Sequence, residues 1–228
     1  MKLPRSLEES TSRHSGSFSL DDPRPISERA RYTFFMPPAE FIASVLPDDW
    51  VKAIFRAVPP DREYDAERMW VKVHEVSPSG FSGVLDTMPS DMPQLEPGAA
   101  LFIPREFVID VDWAEGRTPP ISPPRREYWE RCMVDNCVLY GRSRVDYLYR
   151  EVPDLTSEGD KYPDSGWRIR GIEPEIESDL AAGKSAQYVA LGAVLNEDDR
   201  WFDLLDEPAG EAFQWWDEES RFVRLDPE

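Results

Sequence analysis

The sequence predicts an α+β fold in two modules, a small bent β-sheet or SH3-like barrel followed by a mixed α+β unit. Three observations predict it: apolar residues alternate with period two along many short runs, helical spacing is confined to a few short segments, and a proline-rich stretch divides the chain. With 228 residues, 40% of them hydrophobic and 12% aromatic, there is material for two ordinary cores. The 22 prolines are about twice the usual share of roughly 5%. They cluster at 23–25, 37–38, 59–60 and 119–124, between the candidate elements.

Residues 1–28 are rich in Ser, Pro and charge, with scattered apolar side chains that bury too little surface to offset the entropy of ordering, so they read as a flexible tail. A β-rich module follows over 29–117. Pro37 and Pro38 open a helix over Ala39–Leu46, where Phe41, Ile42, Val45 and Leu46 share a face. Val51–Phe55 and Arg68–His74 then read as strands, the second placing Met69, Val71 and Val73 on one side. Ser77-Pro78-Ser79-Gly80 has turn chemistry, and Phe81–Leu85 returns as the hairpin partner. Leu101–Ile103 and Phe107–Val111 complete the sheet.

Thr118-Pro119-Pro120-Ile121-Ser122-Pro123-Pro124 cannot continue a sheet and begins a linker over 118–131, within which Pro124 is expected to start a short helix through Tyr128, Trp129 and Cys132. The second module covers 132–228. Val134–Leu139, Val145–Tyr149 and Gly166–Arg170 read as strands. Glu173–Ala182 reads as a helix, with acids in its first turn and Gly183 just past its end. Ala186–Leu195 fits helix or strand. Trp201–Leu205 is a short apolar element, and Ala212–Trp216 with Arg221–Val223 resembles a closing hairpin.

Net charge is −19, which disfavours nucleic acid and membrane partners, because both associations depend on Lys and Arg displacing counterions. Most of the field lies in the last third: residues 151–228 hold 21 acids against 7 bases, a net −14, whereas 121–150 hold 4 against 6. A solvated surface explains such a face; a basic partner is the sharper alternative, since complementary potential speeds association. No stretch approaches the roughly 20 apolar residues of a membrane span. Residues 1–20, with Glu8, Glu9, Arg13 and His14, lack the apolar core of a secretory leader, so cytoplasm is the expected compartment.

Chemistry is poorly served. The two histidines, His14 and His74, give no general-base arrangement, and the spacing of Cys132 and Cys137 matches neither a disulfide framework nor a zinc knuckle. No calcium loop and no glycine-rich phosphate fingerprint is present. The expectation is therefore a non-enzyme with no cofactor and no metal, a carboxylate-based hydrolase being the least favoured alternative.

Three clusters join turn residues to charged or aromatic groups: Arg150-Glu151-Val152-Pro153-Asp154, Asp164-Ser165-Gly166-Trp167-Arg168-Ile169, and Val194-Leu195-Asn196-Glu197-Asp198 followed by Leu204–Gly210. Asp164 and Ser165 suit a turn, Gly166 a strained backbone, and Trp167 anchors either a core or an interface. Trp201, Phe202, Phe213, Trp215 and Trp216 sit among acids, and adjacent Trp215 and Trp216 on one strand point to opposite faces. Candidate partner-binding residues are Arg150, Asp164, Trp167, Asn196, Trp201, Trp215 and Trp216.

Those blocks, with Val145–Asp154, Leu191–Asn196 and Leu204–Phe213, resemble a bacterial immunity-protein family, the thirty-third type of the polymorphic-toxin classification, over about residues 132–224. The first module, through Arg68–Val73, Gly83–Asp86, Pro97-Gly98 and Ile109-Asp110, is similar to an uncharacterised bacterial β-rich domain. The resemblance implies a non-catalytic protein that binds and blocks a toxin, with a housekeeping regulatory or scaffold protein reusing such modules as the alternative.

Overall fold

The computed structural model describes residues 17–59, 65–122 and 124–225. Its contacts divide the chain into two compact units, one built from Phe34–Pro124 with the segment ending at Arg29, the other from Ala30–Thr33 with the segment beginning at Arg125. Helices and strands are mixed in the α+β manner, and the N-terminal sheet curls into a half-barrel.

In the first unit, β1 (Ser17–Leu20), α1 (Arg24–Arg29) and α2 (Ala39–Ser44) precede β2 (Trp50–Val58), β3 (Ala66–Val76), β4 (Gly80–Leu85), β5 (Ala100–Pro104) and β6 (Asp110–Asp112). The sheet is antiparallel in the order β1-β2-β3-β4-β5, and β6 also pairs with β2, taking its Trp50–Lys52 end while β1 takes its Phe55–Val58 end. Alternation sends Val51, Ala53, Phe55 and Ala57 of β2 inward with Met69, Val71 and Val73 of β3, all essentially excluded from solvent. A register shift between Val73 and Glu75 marks a bulge in the β3–β4 pair, a feature that bends a strand and sharpens its twist. The buried carboxylate of Asp49 accepts from the backbone N–H groups of Leu46 (2.8 Å) and Ala114 (2.9 Å) and pairs with Arg117, so one side chain ties the entry of β2 to the chain leaving β6.

Residues 17–28 depart from the expected tail. Phe18 is buried against Phe55, ring centroids 5.8 Å apart, and Asp21 receives a two-pronged contact from Arg56, so pairing with the free edge of β2 supplies what the local sequence lacks. The remainder of that expectation, residues 1–16, lies outside the described residues. Phe107–Val111 also differs: Arg105–Phe107 forms a 3-10 turn, and only Asp110–Asp112 pairs.

The second unit contains β7 (Arg131–Val134), α3 (Asn136–Leu139), β8 (Tyr147–Arg150), β9 (Asp164–Arg170), α4 (Glu173–Ala181), β10 (Gln187–Ala190), α5 (Leu191–Glu197), β11 (Ala212–Trp216) and β12 (Arg221–Arg224). Its sheet runs β10-β7-β9-β8-β11-β12, with β7 and β9 parallel and every other pair antiparallel. One face meets α3 and α5 in a core of Cys132, Val134, Leu148, Trp167, Ile169 and Phe213 with Val138 and Val194. Two expectations are corrected here. No helix follows Pro124, because Cys132 and Val134 are buried by strand pairing with β9 and β10. Val134–Leu139 leaves the sheet after Val134: Asp135 accepts from Arg170 Nε (2.7 Å) and the N–H of Gly171 (3.1 Å), and α3 starts behind it. The ambiguous Ala186–Leu195 resolves into both, β10 followed at once by α5.

The chain around β9 is organised by a buried ion pair. Arg168 Nη1 and Nη2 each donate to Asp164 at 3.0 Å, Nε to Glu151 at 2.8 Å, and Nη2 also to Asp154 at 3.1 Å. Asp164 further accepts from the N–H of Gly166 (3.0 Å) and from those of Asp154 and Leu155 (3.2 Å each). Burial pushes the Asp164 carboxyl up, but Arg168 and these amides outweigh it and hold it at about 2. Next to it, Gly166 sits at φ +82°, where a Cβ would lie 2.2 Å from the carbonyl oxygen of Glu151.

Two outcomes follow for denaturation measurements. Arg168→Ala leaves the Asp164 carboxylate unpaired inside the protein and should cost about 3–5 kcal/mol; Gly166→Ala should cost more than about 1 kcal/mol, from strain and collision together. Because the Asp164 pKa is depressed on folding, its contribution is present above the ordinary 3.8 and is lost as pH falls toward about 2. Urea melts between pH 5 and pH 2 should show this loss in the wild type, and Asp164→Asn should flatten that part of the slope.

Candidate functional site

Strand alternation sorts the candidate residues before any partner is considered. Trp167 and Trp201 are fully buried, edge to face at 5.8 Å, with Trp167 Nε1 donating to the carbonyl of Leu205 (3.3 Å) and Trp201 Nε1 to that of Asp198 (2.8 Å). Both are core residues whose polar ends are satisfied. Arg150 lies over the Trp167 ring and donates to the carbonyls of Ser165 (3.0 Å), Glu207 (2.6 Å) and Leu205 (3.3 Å), fastening β8 to the loop that precedes β11. Asp164 belongs to the ion pair described above. Trp167, Trp201 and Arg150 lie on the core side of the sheet, and Asp164 is buried on the other side, against Arg168.

Trp215 and Trp216 do project to opposite faces. Trp215 is half-buried between Phe222 (5.1 Å) and the guanidinium of Arg200 (4.1 Å), and it borders an open cleft of about 580 Å³ together with Asp203, Leu204 and Arg221. Trp216 is 47% exposed. Asn196, on α5, bonds to the segment Ala30–Thr33: the N–H of Tyr32 donates to its Oδ1 (2.9 Å), and its Nδ2 donates to Thr33 Oγ1 (2.7 Å).

Opposite the helices, the sheet presents a second face. Register sets Tyr147 beside Arg170 and Gln214, and Tyr149 beside Arg168 and Ala212, while Gln214 meets Val223. The Tyr147 and Tyr149 rings stack at 5.5 Å. Neither tyrosine belongs to the buried core cluster. At one side α4 contributes Ile176 and Leu180, the latter 66% exposed, to a cleft of about 290 Å³ whose other walls include Met133, Tyr149, Arg168 and Arg170. Tyr, Met, Trp and Arg are the side chains enriched where proteins meet.

The charges of this region are layered. The Arg168 side chain is 7% exposed, whereas its partners Glu151 and Asp154 are 47% and 70% exposed, so the cation is inside and the carboxylates outside. Asp217 is likewise the more exposed member of its pair with Arg144. Arg170 reverses the pattern, lying further out than Asp135. Burial, with Glu151 close by, raises the Tyr149 hydroxyl, which therefore stays a neutral donor. Among the described residues no group of three or more His, Cys, Asp or Glu is arranged to hold a metal ion.

Tyr147, Tyr149 and Arg168 were not among the sequence candidates. The signal was present: once Leu148 is assigned to the core, period two turns both tyrosines outward. The partnership of Asn196 with Tyr32 and Thr33, across more than 160 residues, leaves no local trace.

No curated protein and no solved structure matches the chain. Residues 132–226, rather less than half of the chain, match the family model of the Immunity protein Imm33 domain.

Proposed function

We propose that this protein is an immunity protein that neutralises a protein toxin by direct contact, without turnover. The observation that carries the reading is the Imm33 match itself, over a sheet that turns one face to α3 and α5 and the other, with Tyr147, Tyr149 and Trp216, away from its core. Such a face suits a standard interface of roughly 1,600 Å². Exposed Glu151, Asp154 and Asp217, within a region of net charge −14, favour a basic toxin surface and fast, salt-sensitive capture.

A second reading, a regulatory or scaffold protein that has reused an immunity-type module, draws on one observation. Among the described residues the first unit has its own buried core, and it lies wholly outside the matched span.

Co-expression with each toxin encoded beside its gene tests the first reading. One toxin should become harmless in the presence of the full chain and should co-purify with it. Tyr149→Ala and Trp216→Ala, both on the open face, should each weaken that complex by about 2 kcal/mol, roughly 30-fold in Kd, while leaving the thermal midpoint within a few degrees. Association should slow several-fold between low and physiological salt. Absence of binding to every neighbouring toxin at low salt rules the reading out, and binding unaffected by both substitutions moves the interface elsewhere.

A further inference from the structure

The contact between α5 and residues 30–33 has the form of receptor and ligand. Ala30–Thr33 closes a turn, the N–H of Thr33 donating to the carbonyl of Ala30 at 2.9 Å. Asn196 grips this turn as backbone would, accepting from one residue and donating to the next. One helical turn earlier on the same side, Gly192 lets the segment approach: a Cβ there would lie 2.7 Å from the Tyr32 carbonyl oxygen and 2.8 Å from Thr33 Cγ2. The Tyr32 ring packs against Tyr128 (5.5 Å) and Phe202 (5.7 Å), and its hydroxyl donates to Asp199 at 2.7 Å. Arg31 pairs with the same carboxylate. Burial first, then Asp199, pushes the Tyr32 hydroxyl up to about 12, which keeps it a donor throughout the neutral range.

Gly192, Asn196, Asp199 and Phe202 all lie inside the Imm33 match, whereas Arg31, Tyr32 and Thr33 lie far outside it. We infer that this side of α5 is a peptide-recognition site of the immunity domain, occupied in this chain by its own Arg31-Tyr32-Thr33, and that its ligand class is a short turn presenting a cation, a phenol and a hydroxyl in succession. Each of the three residues meets a different group: Arg31 the Asp199 carboxylate, Tyr32 an aromatic wall with Asp199 behind it, Thr33 the Asn196 amide. No strand ladder is involved, so specificity resides in side chains and in one backbone N–H. Tethering supplies an effective concentration on the order of millimolar. A free peptide of the same chemistry therefore binds measurably only when the tethered segment has been disabled.

The test uses the full-length chain and involves no toxin, so its failure is separate from failure of the toxin-binding reading. The probe is a synthetic peptide spanning residues 29–34, titrated to millimolar concentration into the Tyr32→Ala/Thr33→Ala variant while the Asn196 side-chain amide is followed by NMR. Saturable binding is expected, at least tenfold weaker in the wild type and lost when Asn196→Ala is added. Equal affinity for wild type and variant, binding that survives Asn196→Ala, or no binding at all overturns the inference. Should the variant not fold, amide hydrogen exchange decides: the Tyr32 amide must be protected in the wild type and exchange at least tenfold faster in Asn196→Ala, with the Leu148 amide unchanged. A Tyr32 amide that exchanges as freely as an exposed loop overturns it equally.

Discussion

The buried pair of Asp164 and Arg168 is the constraint on which the second unit depends. Removing a carboxylate and a guanidinium from water is costly, and mutual attraction alone rarely compensates. Here the cost is offset because the guanidinium also reaches Glu151, Asp154 and the Trp167 carbonyl, while Asp164 accepts three backbone N–H groups. Those bonds specify positions. They fold the chain after β8 back onto the start of β9, and Gly166 is the residue that tolerates the resulting closeness to Glu151. Asp49 does the same work in the first unit with Arg117 and two amides.

Fixing β9 fixes both faces of the sheet at once. Trp167 and Ile169 go into the core and Arg168 and Arg170 to the other side, and the neighbouring strands follow by register: Leu148 inward between Tyr147 and Tyr149, Phe213 inward between Ala212 and Gln214. A slip of one residue would exchange the whole set. The contacts of Arg168 with Glu151 and Asp154, which follow β8, oppose that slip, whereas its pair with Asp164 lies within β9 itself.

Where period two and turn chemistry agreed, the sequence was readable: β2, β3 and β4, the core of β8 and β9, the β11–β12 hairpin, and α4 from its acidic first turn and Gly183. Where stability comes from distant pairing it was not. Cys132 and Val134 lie beside a polar, proline-rich stretch whose local pattern suits a helix, and only their neighbours in β9 and β10 make them a strand. Phe18 looks isolated until Phe55 is beside it. For the candidate site the difficulty was direction. Conspicuous residues such as Trp167, Trp201, Arg150 and Asp164 stand out because they build the fold, whereas Tyr147 and Tyr149 are inconspicuous alternation partners of a core leucine.

That division separates the residues that build the domain from those that its outer face displays. Each block that carries the family resemblance contains side chains with several simultaneous internal duties: Arg150 holds three carbonyls, Asp164 closes a loop, Trp167 fills the core, Gly192 and Asn196 receive the Tyr32 turn. Substituting any of them disturbs packing or leaves a buried polar group unmatched. Among their outward neighbours on the same strands, Gln214 donates to the carbonyl (2.9 Å) and the carboxylate (2.8 Å) of Asp146, while Tyr147, Tyr149, Trp216 and Val223 lie outside the buried core cluster. A sheet built this way changes its outer face without changing its core, because the two sets of residues alternate and share only backbone. The two kinds of residue can even share one stretch of sequence, as Leu148 does with Tyr147 and Tyr149, because neighbours along a strand face opposite ways.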